Sequence, residues 1–199
     1  MADVAAELFH LYQEQDGCDF KVQSKDGRSF GVHQLILAVR SPVLKTAMTT
    51  DMKEKQSGTI LFQEFPQDIV DDFLVFLYSD HLPETPKNIE DLMKMGHMYQ
   101  VPHLVKLAAN KLEETLTRDN LEKISSLAEQ YEVSSLLDSC AQFFSKIEES
   151  LTLEEMEKLP LTMLGRTRIL KKKRCMTIAS PNKEVATYRA TSSGIFKVH

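Results

Sequence analysis

The spacing of apolar residues changes along this chain, and that change restricts the folds it can adopt. Residues 18–32 alternate between apolar and polar side chains, as half-buried strands do. The Asp26-Gly27 pair lies within this segment and predicts a hairpin turn. From residue 34 the spacing is helical, except for the apolar run TILF at residues 59–62, which we interpret as a buried strand. A few short strands among many helices predict an α+β fold.

Polar capping residues and prolines predict where several helices begin. The apolar segment at residues 33–48 divides at Ser41-Pro42, where serine can cap a second helix and proline can take its first position. Asn88 and Asp91 form a variant of the capping box at the start of a later helix. These signals predict short, separate helices.

A sequence repeat follows in the helical part of the chain. Residues 98–112 align with residues 130–144, and each copy contains the corner between two helices. Two copies are too few for a solenoid, which needs at least three repeats. The repeat therefore predicts that the helices after residue 119 stack on the preceding pair and lengthen the domain.

Charge divides the chain into an acidic body and a basic end. Residues 165–199 contain nine Lys and Arg and one acid, a net charge of +8, so the first 164 residues carry −13 of the total of −5. Helical spacing also fades there, and we expect a disordered basic tail. The tail contains a run of four basic residues: Lys171, Lys172, Lys173 and Arg174. This run is either a nuclear import signal or an ordinary solvated segment, and the sequence leaves both readings open.

Composition favours an intracellular protein, in the cytoplasm, the nucleus or both. The cysteines are few and scattered, at Cys18, Cys140 and Cys175, which suggests reduced thiols. No stretch of about eighteen apolar residues is present, so we expect no membrane-spanning helix. The acidic body would repel phosphates, which disfavours nucleic acid as a partner.

Four segments in a fixed order carry a resemblance to a known family. They are CDFKV, FGVHQLILAVRSPVL, FPQDIVDDFLVFLYSD and NIEDLMKMGHMYQVPHLVKLAANKL. Over residues 4–116 the chain resembles a BTB/POZ domain, most closely that of the speckle-type POZ protein group. The resemblance implies a small, mostly three-stranded sheet flanked by helices. It divides the chain into a BTB/POZ domain (1–118), a partial post-BTB, BACK-like helical extension (119–164) and the tail (165–199).

The resemblance also implies a function without catalysis. Domains of this family form homodimers through the first helix and its neighbours and have no catalytic activity. Many members bind the N-terminal domain of cullin-3 and act as adaptors of a ubiquitin ligase. We therefore expect no enzyme activity and no cofactor. The first helix carries an apolar band too wide for its own domain to cover, and the predicted dimer contacts are Leu8, Leu11, Tyr12 and Leu35.

The polar loop TTDMKEKQSG, residues 49–58, carries the predicted cullin contact. Cullin-binding members of the family have a hydrophobic residue, any residue and then glutamate after the S-P-V helix, and Met52-Lys53-Glu54 matches that pattern. Methionine is flexible and polarisable, which suits an imperfect apolar slot. We therefore predict that Met52 and Glu54 bind cullin-3.

Two other classes of function were weighed. One is an assembly module, a homodimer or a heterodimer with other BTB proteins, that organises partners without a ubiquitin ligase. The other, a transcriptional repressor subunit, is disfavoured. Repressor members pair the aspartate of the first strand with a basic residue after the histidine, whereas Asp19 is here accompanied by Gln34.

The histidines and cysteines predict neither a catalytic site nor a metal site. His33 lies in an apolar run and resembles a structural histidine of the family. His97 and His103 are six residues apart with Cys140 distant, which fits no zinc spacing. The sequence also lacks a nucleophile elbow and a Gly-rich phosphate loop.

Overall fold

The fold combines a small sheet with a series of helices. The structure, a computed structural model, describes residues 4–49, 56–83 and 88–178, with side chains as far as residue 169. The strands are β1 (Phe20–Ser24), β2 (Ser29–Val32) and β3 (Thr59–Phe62). The helices are α1 (Val4–Glu14), α2 (Gln34–Arg40), α3 (Pro42–Thr49), α4 (Gln67–Ser79), α5 (Ile89–Met98), α6 (Pro102–Glu114), α7 (Leu121–Gln130), α8 (Ser134–Ile147), α9 (Leu153–Glu157) and α10 (Leu161–Ile178). Within the described ranges, no helix is long and apolar enough to cross a membrane.

Strand β1 lies at the centre of the sheet, in the order β2-β1-β3. It pairs antiparallel with β2, where Val22 lies opposite Phe30, and parallel with β3, where Val22 lies opposite Ile60. Gly27 forms the hairpin turn with a φ of +85°, and its N–H donates to the carbonyl of Ser24 at 3.0 Å. Glycine tolerates this left-handed backbone because it has no Cβ. The predicted hairpin, third strand and α+β class are confirmed.

Two clusters of buried apolar side chains hold these elements together. The first lies between the sheet and helices α1–α6, where the rings of Phe62 and Phe73 meet edge to face with centroids 6.2 Å apart. The second lies mainly among α6, α7, α8 and α10 and includes Leu112, Cys140 and Phe144. Because α6 contributes to both clusters, the C-terminal helices are packed onto the helices that precede them.

The two copies of the sequence repeat fold into the same corner. In each copy a residue other than glycine adopts the left-handed conformation after a helix, Gln100 with φ +53° and Glu132 with φ +54°. The next residues, Val101 and Val133, donate their N–H groups to a carbonyl of the preceding helix at 2.7 Å and 2.8 Å. This is the hydrogen-bond pattern of a Schellman helix end. The repeat is therefore structural, and the predicted stacking of the second pair on the first is confirmed.

Helix α10 extends past the predicted boundary at residue 164, so residues 165–178 are helical where we expected disorder. The basic charge of the segment predicts a solvated chain and does not reveal the residues that hold it against α8. Thr167 is buried, and Nη1 of Arg166 donates to the Asp138 carboxylate on α8 at 2.6 Å. A count of charges cannot distinguish a solvated arginine from one that ties two helices together.

Both predicted helix caps are present. Ser41 is buried, and its hydroxyl accepts the N–H of Leu44 at 3.1 Å and donates to the carbonyl of Tyr99 at 2.6 Å. Asn88 accepts the N–H of Asp91 at 3.3 Å at the start of α5. Ser41 therefore caps α3 and also ties it to the corner between α5 and α6.

We expect Ser41→Ala to lower the free energy of unfolding by about 2–3 kcal/mol. The change removes a helix cap and leaves the partly buried carbonyl of Tyr99 without its donor. Urea unfolding followed by circular dichroism measures the loss. Thr46→Ala is the control on the same helix, because the Thr46 hydroxyl is exposed and bonds to Pro42 within α3. Equal losses for the two variants would contradict the assigned role of Ser41.

Candidate protein-interaction surface

An exposed apolar face lies on α1 and α2. On α1, Val4 is 64% exposed and Leu11 is 40% exposed, while on α2 Leu35 is 71% and Val39 is 75% exposed. The spacing within each pair places both side chains on one side of their helix. We call these four residues the apolar face. Aliphatic side chains exposed together on adjacent helices mark an interaction surface.

The apolar face borders a groove of about 410 Å³ between α1, α2 and α4. Leu8 is half-buried in its wall. The aliphatic side of the groove is formed by Val4, Leu8, Leu35 and Val39, and its polar end by Arg40 and Asp80. Two of the four predicted dimer contacts, Leu8 and Leu35, therefore line one concave surface, and a third, Leu11, is exposed on the same helix as Leu8.

The polar end of the groove is organised by Arg40, which the sequence analysis did not single out. Its Nε donates to the carbonyl of Leu77 at 2.8 Å, and its Nη2 donates to the Asp80 carboxylate at 2.6 Å. His103 also approaches that carboxylate, with Nδ1 at 3.2 Å. Partial burial opposes ionisation of Asp80, but the hydrogen bond and charge of Arg40 outweigh it, so the pKa of Asp80 is lowered. The polar end thus holds a fixed negative charge beside an arginine.

Tyr12, the fourth predicted contact, lies inside its own subunit. Its side chain is only 7% exposed, and its ring stacks on that of Tyr78 with centroids 4.6 Å apart. The hydroxyl donates to the Asp71 carboxylate at 3.3 Å. Burial, reinforced by the negative charge of Asp71, raises the pKa of Tyr12. Tyr12 therefore fastens α1 to α4, and this position corrects the prediction that it offers its side chain to a second subunit.

His33 joins the two helices that carry the apolar face. Its Nε2 donates to the carbonyl of Asp16, just after α1, at 2.7 Å, and its Nδ1 accepts the hydroxyl of Tyr78 at 2.9 Å. That hydroxyl also accepts the N–H of His33 at 2.8 Å. Burial raises the pKa of Tyr78 to about 12, so its hydroxyl keeps the proton it donates. Both ring nitrogens of His33 are occupied, which fits the structural role that the family resemblance implied.

We expect Tyr78→Phe to lower the free energy of unfolding by about 2–4 kcal/mol, because two nitrogens of His33 lose their partner. Urea unfolding measures the change. Tyr99→Phe is the matched control: burial raises the pKa of Tyr99 to about 12 as well, but no described residue bonds its hydroxyl. We expect that control to lose less than about 1 kcal/mol. A similar loss in both variants would show that the network at His33 contributes nothing beyond packing.

Asp19 has a partner although Gln34 supplies no charge. The Asp19 carboxylate accepts the backbone N–H of Gln34 at 2.7 Å, at the first turn of α2. A carboxylate at a helix N-terminus satisfies a free N–H and interacts favourably with the helix dipole. The aspartate thus helps to orient α2, and it does so through the backbone, for which the side chain of residue 34 is irrelevant.

The predicted cullin contacts Met52 and Glu54 lie outside the described residues, as does the part of the predicted tail at 179–199. The basic run Lys171, Lys172, Lys173 and Arg174 lies in the last turns of α10, beyond the described side chains. The roles of these residues therefore remain sequence predictions.

The polar clusters of the described residues suggest no metal centre. No three of their His, Cys, Asp or Glu side chains lie close enough together to hold a metal ion. His97 packs against the ring of Tyr131, with centroids 5.1 Å apart, and Cys140 is buried among α-helices as a free thiol. Burial raises the pKa of Cys140 to about 12, which makes it a poor nucleophile.

Comparison with known proteins identifies the family of this fold. A family model described as the BTB/POZ domain matches residues 8–116. Kelch-like protein 21 of Homo sapiens is 24% identical over 159 residues, which cover 80% of this chain and 27% of that protein. Kelch-like protein 40 of Xenopus laevis is 26% identical over 130 residues, which cover 58% of this chain and 21% of that protein. A BTB/POZ domain-containing protein of Arabidopsis thaliana is 30% identical over 127 residues, which cover 64% of this chain and 49% of that protein.

These relatives indicate the BTB/POZ family as a whole and not specifically its speckle-type group. They are Kelch-like proteins and a plant BTB/POZ protein, and none of the three carries the speckle-type name. The chain spans about a quarter of the length of Kelch-like protein 21. The family model matches more than half of the 199 residues, including the sheet and helices α2 to α6. The chain belongs to the BTB/POZ family.

Proposed function

We propose that this chain is a non-catalytic, homodimeric protein-interaction module that binds the N-terminal domain of cullin-3 as an adaptor in a ubiquitin ligase complex. The observation that carries the proposal is the apolar face on α1 and α2 of a BTB/POZ chain, because the first helix and its neighbours form the dimer in this family. Four aliphatic residues are exposed there beside a groove. A second copy of the chain exposes the same apolar face.

The energetics of such a dimer are favourable. A two-fold dimer buries the same patch on both subunits, so each residue of the apolar face contributes twice. Full covering of one aliphatic side chain gives about 1.5–3 kcal/mol. Because the four side chains are already partly covered in the single subunit, the gain summed over both subunits is about 7–15 kcal/mol. This is comparable with an association cost of about 4–15 kcal/mol. The rigid anchoring of α1 by Tyr12 and of α2 by His33 lowers the cost of ordering the two helices.

The cullin contact rests on the sequence of the segment between α3 and β3. Met52 and Glu54 fit the hydrophobic-x-Glu pattern of cullin-binding members at the place where those members carry it. Burial of a methionine on a partner gives about 1.5–3 kcal/mol, or about one to two decades in affinity. A dimer would present two such loops, so that weak substrate contacts gain by effective concentration.

The same proposal includes more specific assignments for the helical extension, for other partners and for the basic run. We assign the helices that follow residue 119 to a partial BACK-like extension, and because α10 continues to Ile178 this unit extends past residue 164. Membership of the speckle-type POZ group rests on the sequence resemblance alone. Heterodimers with other BTB proteins would use the same apolar face. The basic run at residues 171–174 would direct the protein to the nucleus if it acts as an import signal.

Light scattering and calorimetry with the purified N-terminal domain of cullin-3 test the proposal together. We expect a particle of twice the mass of one chain that binds one cullin domain per subunit. A monomer in solution at micromolar concentration would contradict the dimer. A dimer that gives no heat with the cullin domain would contradict the adaptor.

The second candidate function is an assembly module that dimerises without any ubiquitin ligase. It is favoured by one observation: the exposed apolar face supports dimerisation, and dimerisation by itself requires no contact with cullin-3. The two candidates predict the same mass in light scattering and differ only in the calorimetric experiment.

A further inference from the structure

The outer edge of β2 is paired at one position with a side chain instead of a strand. Oε1 of Gln15 accepts the N–H of Gly31 at 3.1 Å, and Nε2 of Gln15 donates to the carbonyl of Gly31 at 3.4 Å. One amide group thus makes both hydrogen bonds that a neighbouring strand would make with this residue. Gln15 imitates a strand at the edge of the sheet.

The local structure holds Gln15 in this position. Its φ is +56°, a left-handed backbone that residues other than glycine rarely adopt, and its Nε2 also donates to the carbonyl of Tyr12 at 2.7 Å. Gly31 is matched to the amide, because a Cβ there would overlap Oε1 of Gln15 and crowd Sγ of Cys18 at 3.2 Å. The arrangement therefore depends on a glycine in the strand and on a strained residue after α1.

The amide covers only part of the edge. Because outward-facing groups alternate along a strand, the N–H and carbonyl of Ser29 face the same side as those of Gly31. On that side lies an open cavity of about 520 Å³ between β2, the end of α1 and the start of α4, lined in part by Gln15, Ser29 and Phe30. The edge of β2 thus borders a space in which an extended chain can lie.

Charge decides which kind of chain fits this space. Among the described residues that line the cavity, Asp68, Asp71 and Asp72 of α4 are acidic and Arg28 is basic. A second copy of this protein, with its own β2 at the edge, would bring the same three carboxylates close to these, which is unfavourable. A segment with lysine or arginine at alternate positions would instead place its positive charges beside α4.

We propose that the outer edge of β2 binds an extended, basic segment of another protein by strand addition, and that Gln15 is the group it displaces. The backbone of the segment pairs with Ser29, and with Gly31 once the amide of Gln15 has moved aside. Its basic side chains lie against the acids of α4. The surface differs from the apolar face and from the cullin loop, so the inference goes beyond the proposed function.

A labelled peptide of alternating lysine and threonine, blocked at both ends, tests the proposal on the full chain. Fluorescence anisotropy gives its affinity, and the backbone amide signals of Ser29 and Gly31 in nuclear magnetic resonance spectra report the position. We expect those signals to shift on titration. Replacement of lysine by glutamate in the peptide should weaken binding at least about tenfold. N-methylation of the peptide residues that pair with β2 should weaken it by a similar factor, because strand addition needs their N–H groups.

Variants of the protein test separately the displacement of Gln15 and the contribution of the acids of α4. Gln15→Ala should strengthen binding about fivefold, because the peptide no longer competes with the amide for Gly31. Gln142→Ala, a change in an exposed glutamine of α8 that does not line the cavity, should leave the affinity unchanged.

The acids of α4 have a control on another helix. Asp68→Asn with Asp72→Asn should weaken peptide binding about tenfold. Glu154→Gln with Glu157→Gln removes the same number of charges from the exposed residues of α9 and should have no effect.

Four outcomes would overturn the proposal. Equal affinity for the lysine and glutamate peptides would mean that charge does not select the segment. Unchanged affinity in Gln15→Ala would mean that the segment does not displace Gln15. Association of Gln15→Ala without peptide, with Gly31 signals that depend on concentration, would make a second copy the occupant. A shift of the Ser29 and Gly31 signals on removal of residues 179–199 would make the chain's own end the occupant.

Discussion

Leu35→Asp combined with Val39→Asp should convert the proposed dimer into a monomer, with the dissociation constant raised at least about a thousandfold. Both side chains are more than two-thirds exposed in the single subunit, so the subunit tolerates the change. In a two-fold dimer the pair would lose four aliphatic contacts, each worth about 1.5–3 kcal/mol. It would also bury four carboxylates without partners, which adds a desolvation cost. Sedimentation velocity over a range of concentrations measures the effect.

The matched control lies on the C-terminal helices. Leu153 and Leu161 are 77% and 84% exposed, as accessible as the residues of the apolar face, but they lie on α9 and α10. Leu153→Asp with Leu161→Asp should leave the mass of the dimer unchanged. If that variant dissociates and the variant on α2 does not, the interface lies on the extension and our assignment of the apolar face fails. Circular dichroism confirms in both cases that the subunit is folded.

Much of the fold could be predicted because its signals are local. The turn at Gly27 and the caps at Ser41 and Asn88 each depend on residues within a few positions of one another. The repeated corner is also local: the same short pattern places Gln100 and Glu132 in the same left-handed conformation. Interactions over short separations in sequence cost little entropy to form, so sequence patterns record them directly.

The candidate site was harder to predict because it depends on contacts between distant residues. Leu8, Leu11 and Tyr12 share one apolar band in the sequence, and helical spacing alone cannot tell which part of a band faces its own core. The stacking of Tyr12 on Tyr78 decides the question, and those residues are 66 positions apart. The same applies to Arg40 and Asp80 at the end of the groove, which no motif connects.

The spacing of Val39 from Leu35 is a sequence signal for a further residue of the apolar face. Val39 follows Leu35 by one helical turn, and it is the most exposed residue of the apolar face at 75%. The prediction of a dimer contact at Leu35 could have been extended to Val39 by spacing alone. For α10 the opposite holds: basic charge and fading helical spacing predict disorder, whereas Thr167 is buried and Arg166 bonds to Asp138.

Met52→Asp combined with Glu54→Lys should weaken binding of the cullin-3 N-terminal domain at least about a hundredfold and leave the mass of the dimer unchanged. The first change removes the apolar anchor, worth about 1.5–3 kcal/mol, and places a charge in an apolar slot. The second reverses the charge that orients the partner. Calorimetry with the purified domain gives the affinity. Lys53→Ser is the control in the same loop, because the pattern accepts any residue at the middle position, and it should bind as the unchanged chain does.

Dimerisation and cullin binding are assigned to different parts of the chain, so one can be removed without the other. This separation gives the most decisive test of the cullin prediction. The segment that contains Met52 and Glu54 follows α3, which ends at Thr49, and precedes β3, which begins at Thr59, whereas the apolar face lies on α1 and α2. A monomer made by Leu35→Asp with Val39→Asp should therefore bind one cullin domain with unchanged affinity per subunit. If this monomer loses the cullin domain, the partner contacts the dimer and not the loop. If the Met52 and Glu54 double variant still binds fully, the hydrophobic-x-Glu pattern in this chain is a coincidence of sequence, and the assembly module becomes the better description.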